Sequence, residues 1–469
     1  MGDDKRRQTN GVTDGNKVIG ERSSSICGSR FMAITGVLTV ILVIAVIHVA
    51  TSENKKSYFD ELLSTGGAIR SARYARSHDE ATTIKAGGIE FGDKPVRKLI
   101  KEMGGWSMDE KNKDWDENTW DFKKILLYIH KQYTSAGGPL FSVHISDDPV
   151  NNSRHVIDID QAGPSLSREV YFENKKIIKA YKQFIIDVGT LLGGGKNIEK
   201  SAQGIIDFET QLANISVPDA DKIESWFHRM TVKELKKEVP EYDWLNHLNT
   251  MFTTDKIQES EELTVPALPY LKKLMKLVEN TPKSVLSNYL VWNVIQDEVS
   301  FLSKPYREAR TKYRDSVLGS KGQKKRWKTC VSYTNELVGD ILGAAYVRKH
   351  FDKHSKEMAK SMILEVREAF KDNVNSLPWM DKLTKAAVSE KADAMSDEVG
   401  FPTYLIDSKR FIKKFKKYDG VIIKDNALFS NRMAILKMAH QRMLKKLRKP
   451  VDREEWPMDP QTINAYVQF

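Results

Sequence analysis

The chain is patterned mainly with the spacing of amphipathic helices. Apolar residues recur at helical intervals over 177–191, where the glycines at 193–195 end the pattern, and again over 205–215. Thr231 and Glu234 form a capping-box signature for another helix start. Further helical runs are predicted at 285–302, 333–349, 358–370, 384–398 and 432–448. The pattern predicts a mainly α fold whose apolar stripes pack into one continuous body.

One stretch alternates with a period of two instead. Apolar and polar residues alternate over 141–145 and 157–159, and the turn-rich segment 147–153 separates the two runs. Alternation of this kind is typical of strands with one buried face. The sequence therefore predicts a small two-stranded β-hairpin set into the helical body.

A candidate membrane span lies near the N-terminus. Residues 31–50 are twenty consecutive residues without a formal charge. As a helix they span about 30 Å, the thickness of the hydrocarbon core. A cleaved signal peptide has a shorter apolar run and a short basic start, whereas thirty polar residues come first here. We expect a retained signal-anchor helix; the alternative is a buried globular helix.

The orientation of this span rests on weaker signals. Three Lys or Arg residues lie within 11–30 and three within 51–70, so the positive-inside rule does not choose a side. The sequons at Asn151 and Asn214 are glycosylation candidates that favour an extracellular or luminal C-terminal part. We therefore predict a single-pass type II protein, with its C-terminal part outside the cell and the plasma membrane as its location. The predicted segments are a disordered cytoplasmic tail (1–30), the anchor (31–50), a stalk (51–87) and a large domain (88–469).

Composition excludes several classes of protein. The chain has 469 residues, 40% of them hydrophobic, which is too apolar for a disordered protein. Two cysteines exclude a disulfide scaffold and a four-cysteine zinc site. The net charge is +11, with basic runs at 321–328, 409–417 and 437–449. We interpret these runs as solvated helix faces, and the predicted extracellular location excludes nucleic acid as a partner.

A series of short motifs along the chain resembles one family. The motifs are GGW at 104–106, LFSV at 140–143, IDQ at 159–161, NYLVW at 288–292, RWKTC at 326–330, WMD at 379–381, GFP at 400–402, WPM at 456–458 and NAY at 464–466. This ordered series, from about residue 68 to residue 469, resembles the N-terminal part of the neprilysin-type zinc metallopeptidases, a family that includes the endothelin-converting enzymes. The resemblance implies a type II membrane glycoprotein with a helical ectodomain and the proteolysis of small peptides.

The zinc site that the resemblance implies is missing from the sequence. Members of that family need a His-Glu-x-x-His helix, in which two imidazoles bind zinc and the glutamate acts as general base. In the family this element lies C-terminal to the Asn-Ala-Tyr motif, and no His-Glu-x-x-His occurs in the 469 residues. We therefore expect no catalytic residue, metal ligand or cofactor in this chain, which is incomplete or truncated by comparison. Zinc is expected for the complete family member.

His350 and His354 are the nearest alternative to a metal pair. Their i, i+4 spacing allows both imidazoles to lie on one helical face. However, Phe351 stands where the catalytic glutamate is needed, and the sequence indicates no third ligand. We interpret the pair as surface or cap histidines and keep a His350/His354 metalloprotease as a minor alternative.

The two cysteines have no obvious disulfide within the chain. The resemblance implies that Cys330 is normally disulfide-bonded and maps its expected partner onto His78. We therefore expect Cys330 to be a free thiol or to pair between chains. Cys27, beside the predicted span, is a candidate for S-acylation or an idle thiol.

The resemblance implies that one peptide-binding element of the family is present in this chain. In the family, the Asn and Ala of Asn-Ala-Tyr lie on an edge strand and hydrogen-bond the backbone of a bound peptide, a general recognition mode. The matching residues are Asn464, Ala465 and Tyr466. The alternative is a frayed C-terminal strand without a ligand.

Two main hypotheses follow for the function. The first is a zinc metalloendopeptidase family member that lacks its zinc-binding part and is inactive alone. The second is a non-enzymatic pseudopeptidase ectodomain that binds peptides or a full-length relative. The first hypothesis predicts exposed apolar surface on the region after residue 51, because the family's helical lobes close over one another, whereas an ectodomain without such surface would favour the second.

Overall fold

A computed structural model describes most of the chain after residue 91. The described residues are 92–111, 113–133, 138–222, 229–319, 326–424 and 427–466. The predicted tail (1–30), anchor (31–50) and stalk (51–87) all lie outside these ranges. Among the helices that are described, none combines the length and the apolar character needed to cross a membrane.

The fold is mainly helical, as predicted. The helices are α1 (Lys94–Glu102), α2 (Phe122–Tyr133), α3 (Arg168–Glu173), α4 (Lys175–Leu191), α5 (Ile198–Ile215), α6 (Asp219–Lys222), α7 (Val232–Glu238), α8 (Trp244–Met251), α9 (Leu268–Glu279), α10 (Lys283–Glu298), α11 (Lys304–Leu318), α12 (Arg326–His350), α13 (Lys353–Ser376), α14 (Lys382–Ala394), α15 (Ser408–Phe415) and α16 (Leu428–Leu444). Single 3₁₀ turns lie at Val299–Phe301, Thr403–Leu405 and Lys416–Tyr418.

The helix boundaries have local causes that the sequence contains. Thr231 accepts from the backbone N–H of Glu234, whose side chain accepts in return from Thr231, so the predicted capping box begins α7. Helix α4 ends at Leu191, and Gly193 follows with a φ of +114°, a conformation that disfavours any other residue. The predicted stop at the glycines is confirmed.

The predicted hairpin is present but belongs to a larger sheet. Strand β1 (Phe141–Asp147) pairs antiparallel with β2 (His155–Gln161), with Val143 opposite Ile159. Strands β3 (Arg229–Thr231) and β4 (Glu262–Thr264) extend it to four strands in the order β1-β2-β4-β3. β4 pairs parallel with β2 and antiparallel with β3. The two-stranded prediction was incomplete because three-residue strands carry too little alternation to be recognised.

The described residues form two compact units. The larger unit contains the sheet and most of the described helices, within 92–349 and 400–461. Its core is dominated by fully buried aromatic residues: Trp106, Phe141, Tyr181, Phe184, Phe208, Trp244, Tyr270, Tyr289 and Trp292. Burying an aromatic or aliphatic side chain of this size stabilises a fold by roughly 1.5–3 kcal/mol, so this core is the main source of the unit's stability.

The smaller unit consists mainly of α13 and α14, within 350–399 and 462–468. Arg367 bonds the carboxylate of Asp397 at 2.6 Å, and Lys371 lies 2.8 Å from Asp393. Few of its apolar side chains are buried, and Trp379 and Leu383 are 67% and 84% exposed. Exposed apolar surface of this kind is unusual in a self-contained monomer. The predicted domain limits, 88–469, stay a prediction.

Candidate functional site

The predicted peptide-binding residues lie at the end of the described chain. Asn464 and Tyr466 are exposed, Ala465 is half-buried, and 462–466 is irregular rather than the edge strand that the resemblance implied. The Tyr466 hydroxyl donates to the Glu398 carboxylate, and the Ala465 N–H donates to Asn464 Oδ1 at 2.8 Å. Partial burial and then Glu398 raise the pKa of Tyr466, so this hydroxyl stays protonated at neutral pH. The segment is tied to its own unit through Tyr466.

The residues that precede this motif pack closely on α12. Gly339 and Gly343 face them, and a Cβ on Gly343 would lie 2.7 Å from the Pro460 ring, closer than atoms can approach. The Gln461 amide donates to the Gly339 carbonyl at 2.9 Å and also bonds the Asn335 side chain. Small residues spaced by four place two gaps on one helix face. This pair of glycines therefore fixes the path of 459–461 within the larger unit.

A polar cluster around Asp340 lies next to Gly339 on α12. The Tyr418 hydroxyl donates to Asp340 at 2.7 Å, and Lys417 forms an ion pair with the same carboxylate. Burial and then repulsion from Asp340 raise the pKa of Asp459 to about 6. Lys417 offsets the charge of Asp340 and Tyr418 donates to it, so these contacts hold the loop after α15 against α12.

His350 and His354 are not placed as a metal pair. His350 is the last residue of α12, whereas His354 lies in the first turn of α13. Asp352 caps α13 by accepting from the backbone N–H groups of His354 and Ser355. Both histidines are exposed. Across the described ranges, no three His, Cys, Asp or Glu side chains converge to hold a metal ion, so the residues present do not fit the zinc of the resemblance.

Several cations of the basic runs near the C-terminus pair with acids. Arg410 bonds Glu454 at 2.8 Å, and Lys414 bonds Asp452 at 3.0 Å. Lys446 pairs with Glu455 in the same acidic segment at 2.5 Å. These ion pairs give the cations a local structural role, in keeping with their interpretation as solvated helix faces.

The two sequons differ in their surroundings. Asn151 is exposed in the turn between β1 and β2, and the Ser153 hydroxyl donates to its Oδ1 at 2.6 Å. Asn214 is exposed in the last turn of α5, and the Ser216 hydroxyl donates to the Leu212 carbonyl at 2.7 Å instead. Both acceptor amides are accessible, so both positions stay candidates for a glycan. Cys330 is half-buried in α12 and makes no disulfide in the described structure.

A pair of buried histidines was not identifiable from the sequence. His130 Nδ1 lies 3.1 Å from His247 Nε2, and His247 Nδ1 lies 2.8 Å from the Tyr242 hydroxyl. His130 Nε2 lies 3.1 Å from the Pro139 carbonyl and must donate to it. With both rings neutral, as their burial favours, all three bonds are satisfied when Tyr242 donates to His247 and His247 donates to His130. Burial lowers the pKa of His130 to about 4 and that of His247 well below its usual range.

One open cavity of about 550 Å³ lies between α1, α2 and α16. Its lining is mixed in character: Glu102, Tyr128, Gln132, Met433, Ala434 and Lys437. The Tyr128 hydroxyl donates to Glu102 at 2.7 Å. None of the residues predicted to bind substrate lines this cavity.

Comparisons with solved structures agree on the fold. A Mycobacterium tuberculosis zinc metalloprotease in complex with an inhibitor superposes with a TM-score of 0.69 at 22% identity, over 87% of this chain and 61% of that one. PepO from Lactobacillus rhamnosis gives a TM-score of 0.67 at 17% identity, over 89% of this chain and 62% of that one. At these identities the likeness establishes the fold alone.

Sequence comparisons establish the family as well as the fold. The chain is 34% identical over 425 residues to endothelin-converting enzyme 1 of Bos taurus, covering 88% of this chain and 55% of the relative. It is 36% identical over 392 residues to neprilysin-3 of Drosophila melanogaster, covering 80% of this chain and 49% of the relative. The chain thus spans about half the length of the curated relatives it matches. Residues 74–402 match the model of peptidase family M13, to which this chain therefore belongs.

Proposed function

We propose that this chain is the peptide-binding part of an M13-family metalloendopeptidase, inactive in hydrolysis on its own, and that it binds extended peptides through Asn464, Ala465 and Tyr466. The proposed inactivity of these residues on their own rests on their lack of the family's zinc-binding motif. The sequence contains no His-Glu-x-x-His, and His350 and His354 belong to different helices. In the complete family member zinc would polarise the scissile carbonyl and activate water, and the described residues of this chain offer no three-ligand set for it. Zinc belongs to the complete family architecture rather than to these residues.

The case for peptide binding rests on the exposed end of the motif segment. The Asn464 side chain is exposed, and its amide group has a donor and an acceptor suited to a peptide backbone. On the motif's other side, the Tyr466 hydroxyl is engaged with Glu398, which restrains the segment. A restrained segment loses less conformational entropy when it pairs with a peptide.

A second candidate function is association with another polypeptide, such as a full-length relative. It is favoured by the apolar side chains of the smaller unit, where Trp379, Leu383 and Met395 are each more than half exposed. Patches of exposed apolar residues mark interaction surfaces. The two functions are compatible, because the motif and these side chains are different residues.

The membrane location is part of the proposal. We infer that residues 31–50 anchor the chain as a type II protein of the plasma membrane, with the described residues outside the cell. Support comes from the twenty uncharged residues of that segment and from the two accessible sequons, Asn151 and Asn214.

The test uses the purified full-length chain in detergent. Bound zinc is measured by atomic emission, cleavage is measured with fluorogenic peptides with and without a chelator, and binding is measured by anisotropy of fluorescein-labelled peptides. We expect no stoichiometric zinc, no chelator-sensitive cleavage, and peptide binding that Asn464→Ala weakens at least several-fold. Thr462→Ala, a change in the same segment, is the matched control and should bind as the unaltered chain does.

Two results contradict the proposal in separable ways. Retained zinc with chelator-sensitive cleavage would overturn the non-hydrolytic assignment. Equal peptide binding by the Asn464→Ala and Thr462→Ala variants would overturn the role of the motif while leaving the first conclusion intact.

A further inference from the structure

Residues 163–174, here called the strap, cross the surface between β2 and α4 and include α3. None of these twelve residues is buried. Leu166 is the strap side chain that packs partly against the main core. Apolar contacts alone therefore hold the strap weakly, and its attachment depends on polar contacts.

Those polar contacts converge on Glu209, a fully buried carboxylate of α5. The Ser165 hydroxyl donates to Glu209 Oε1 at 2.5 Å, and the Tyr171 hydroxyl donates to Oε2 at 3.0 Å. From behind, the Tyr181 hydroxyl of α4 donates to Oε1 at 3.3 Å. A further strap contact also reaches α5, where Arg168 Nε donates to the Ala213 carbonyl at 3.0 Å.

The groups that face Glu209 from the neighbouring helices are phenols rather than cations. Tyr171 of α3, Tyr181 of α4, Tyr289 of α10 and Tyr313 of α11 each feel its charge, and burial raises the pKa of all four hydroxyls. Within the described ranges no lysine, arginine or histidine bonds this carboxylate. Glu209 is therefore the group of this cluster that changes charge near neutral pH.

We propose that the strap is a pH-sensitive closure: it is latched onto α5 through Glu209 when that carboxyl carries a proton, and it opens more readily as the proton is lost. Opening brings the side chain into water, where the carboxylate is hydrated. The proton released on opening passes to solvent, so the closed form binds one proton more than the open form.

The direction and size of the effect follow from linkage. Burial raises the pKa of Glu209 to about 7, although three hydroxyl groups donate to it. In the open strap the carboxyl returns toward its ordinary value of 4.5. Because the closed form holds the proton more tightly, closure is fully favoured below pH 4.5 and weakens as the pH rises through 7. Between pH 5 and 7.5 the opening equilibrium increases by at most about 60-fold.

The experiment is hydrogen exchange with mass spectrometry on the full-length chain at pH 5, 6, 7 and 7.5, corrected for the intrinsic exchange rate at each pH. Peptides covering the strap are compared with peptides from α10. We expect the corrected opening of the strap to rise by more than tenfold across this range while that of α10 stays constant. Glu209→Gln, which keeps the shape of the protonated side chain, should make strap opening independent of pH.

Two variants complete the test. Glu199→Gln makes the same change at an exposed position of α5 and should behave as the unaltered chain does. Tyr171→Phe removes one latch contact and keeps the carboxyl, so it should raise opening at every pH and preserve the pH dependence. If Glu209→Gln does not fold, the pH profiles of strap opening in the unaltered chain and in Tyr171→Phe still test the proposal. Strap protection that is the same at pH 5 and 7.5 in the unaltered chain overturns the proposal.

Discussion

Replacing Arg432 by methionine should be among the most destabilising single changes in the larger unit. Arg432 and Glu298 are 6% and 5% exposed. The Arg432 Nε lies 3.1 Å from both carboxylate oxygens of Glu298, and another guanidinium nitrogen bonds Glu336 at 2.6 Å. The guanidinium also lies 4.4 Å from the centre of the Phe301 ring. The substitution leaves Glu298 buried without its cation.

The expected cost follows from that geometry. Removing one partner of a buried ion pair costs about 3–5 kcal/mol, because the remaining charge stays out of water. Burial already raises the pKa of Glu298 to about 6 despite the attraction of Arg432, and removal of the arginine raises it further. A carboxyl with a raised folded pKa loses stability as the pH rises, so the cost of the variant increases with pH. We expect about 3–5 kcal/mol at pH 8 and less than half of that at pH 5.5.

Urea unfolding followed by tryptophan fluorescence at these two pH values measures the loss of unfolding free energy in the variant and the dependence of that loss on pH. The double variant Arg432→Met/Glu298→Gln removes both charges and should recover much of the loss at pH 8. Glu336→Gln is the matched control, because Glu336 is half exposed and its contact should contribute no more than about 1 kcal/mol. A loss below 1 kcal/mol at pH 8, or a double variant as unstable as the single one, would refute the reasoning.

Three other predictions concern separate parts of the molecule. Burial lowers the pKa of His130 to about 4, so the stability that depends on its neutral form is complete above pH 6.5 and falls by about 3 kcal/mol as the pH drops toward 4. In urea unfolding at pH 7.5 and 5, the free energy of unfolding of His130→Gln should depend less on pH than that of the unaltered chain. An equal pH dependence in the two proteins would exclude this role. Gly343→Ala should cost about 1–3 kcal/mol and speed proteolysis after residue 456, since its methyl group meets the rigid Pro460 ring; unchanged proteolysis would show that the contact is dispensable. Glycosidase treatment should increase the gel mobility of the unaltered chain expressed in animal cells, and Asn151→Gln should reduce that shift by one glycan, whereas an unglycosylated chain contradicts the predicted topology.

The sequence predicted those features that depend on neighbours in the chain. The alternation at 141–145 gave the hairpin, and the Thr231–Glu234 pair gave a helix start, because both signals act within a few residues. The contact between His130 and His247 joins residues 117 apart, and the Glu209 carboxyl accepts hydrogen bonds from the loop before α3, from α3 and from α4. Tertiary packing decides such contacts, so a single sequence without related sequences carries no signal for them.

The parallel pairing of β2 with β4 has a consequence for how this protein is made. β2 ends at Gln161, and β4 begins at Glu262, about a hundred residues later. At translation rates of about 5–20 residues per second, β4 is synthesised roughly 5–20 seconds after β2. During that time the edge of β2 that will pair with β4 has no strand partner for its amide and carbonyl groups. Such an open border is a template for pairing with other nascent chains. We expect ribosome-proximal chaperones to matter most to this protein during that interval.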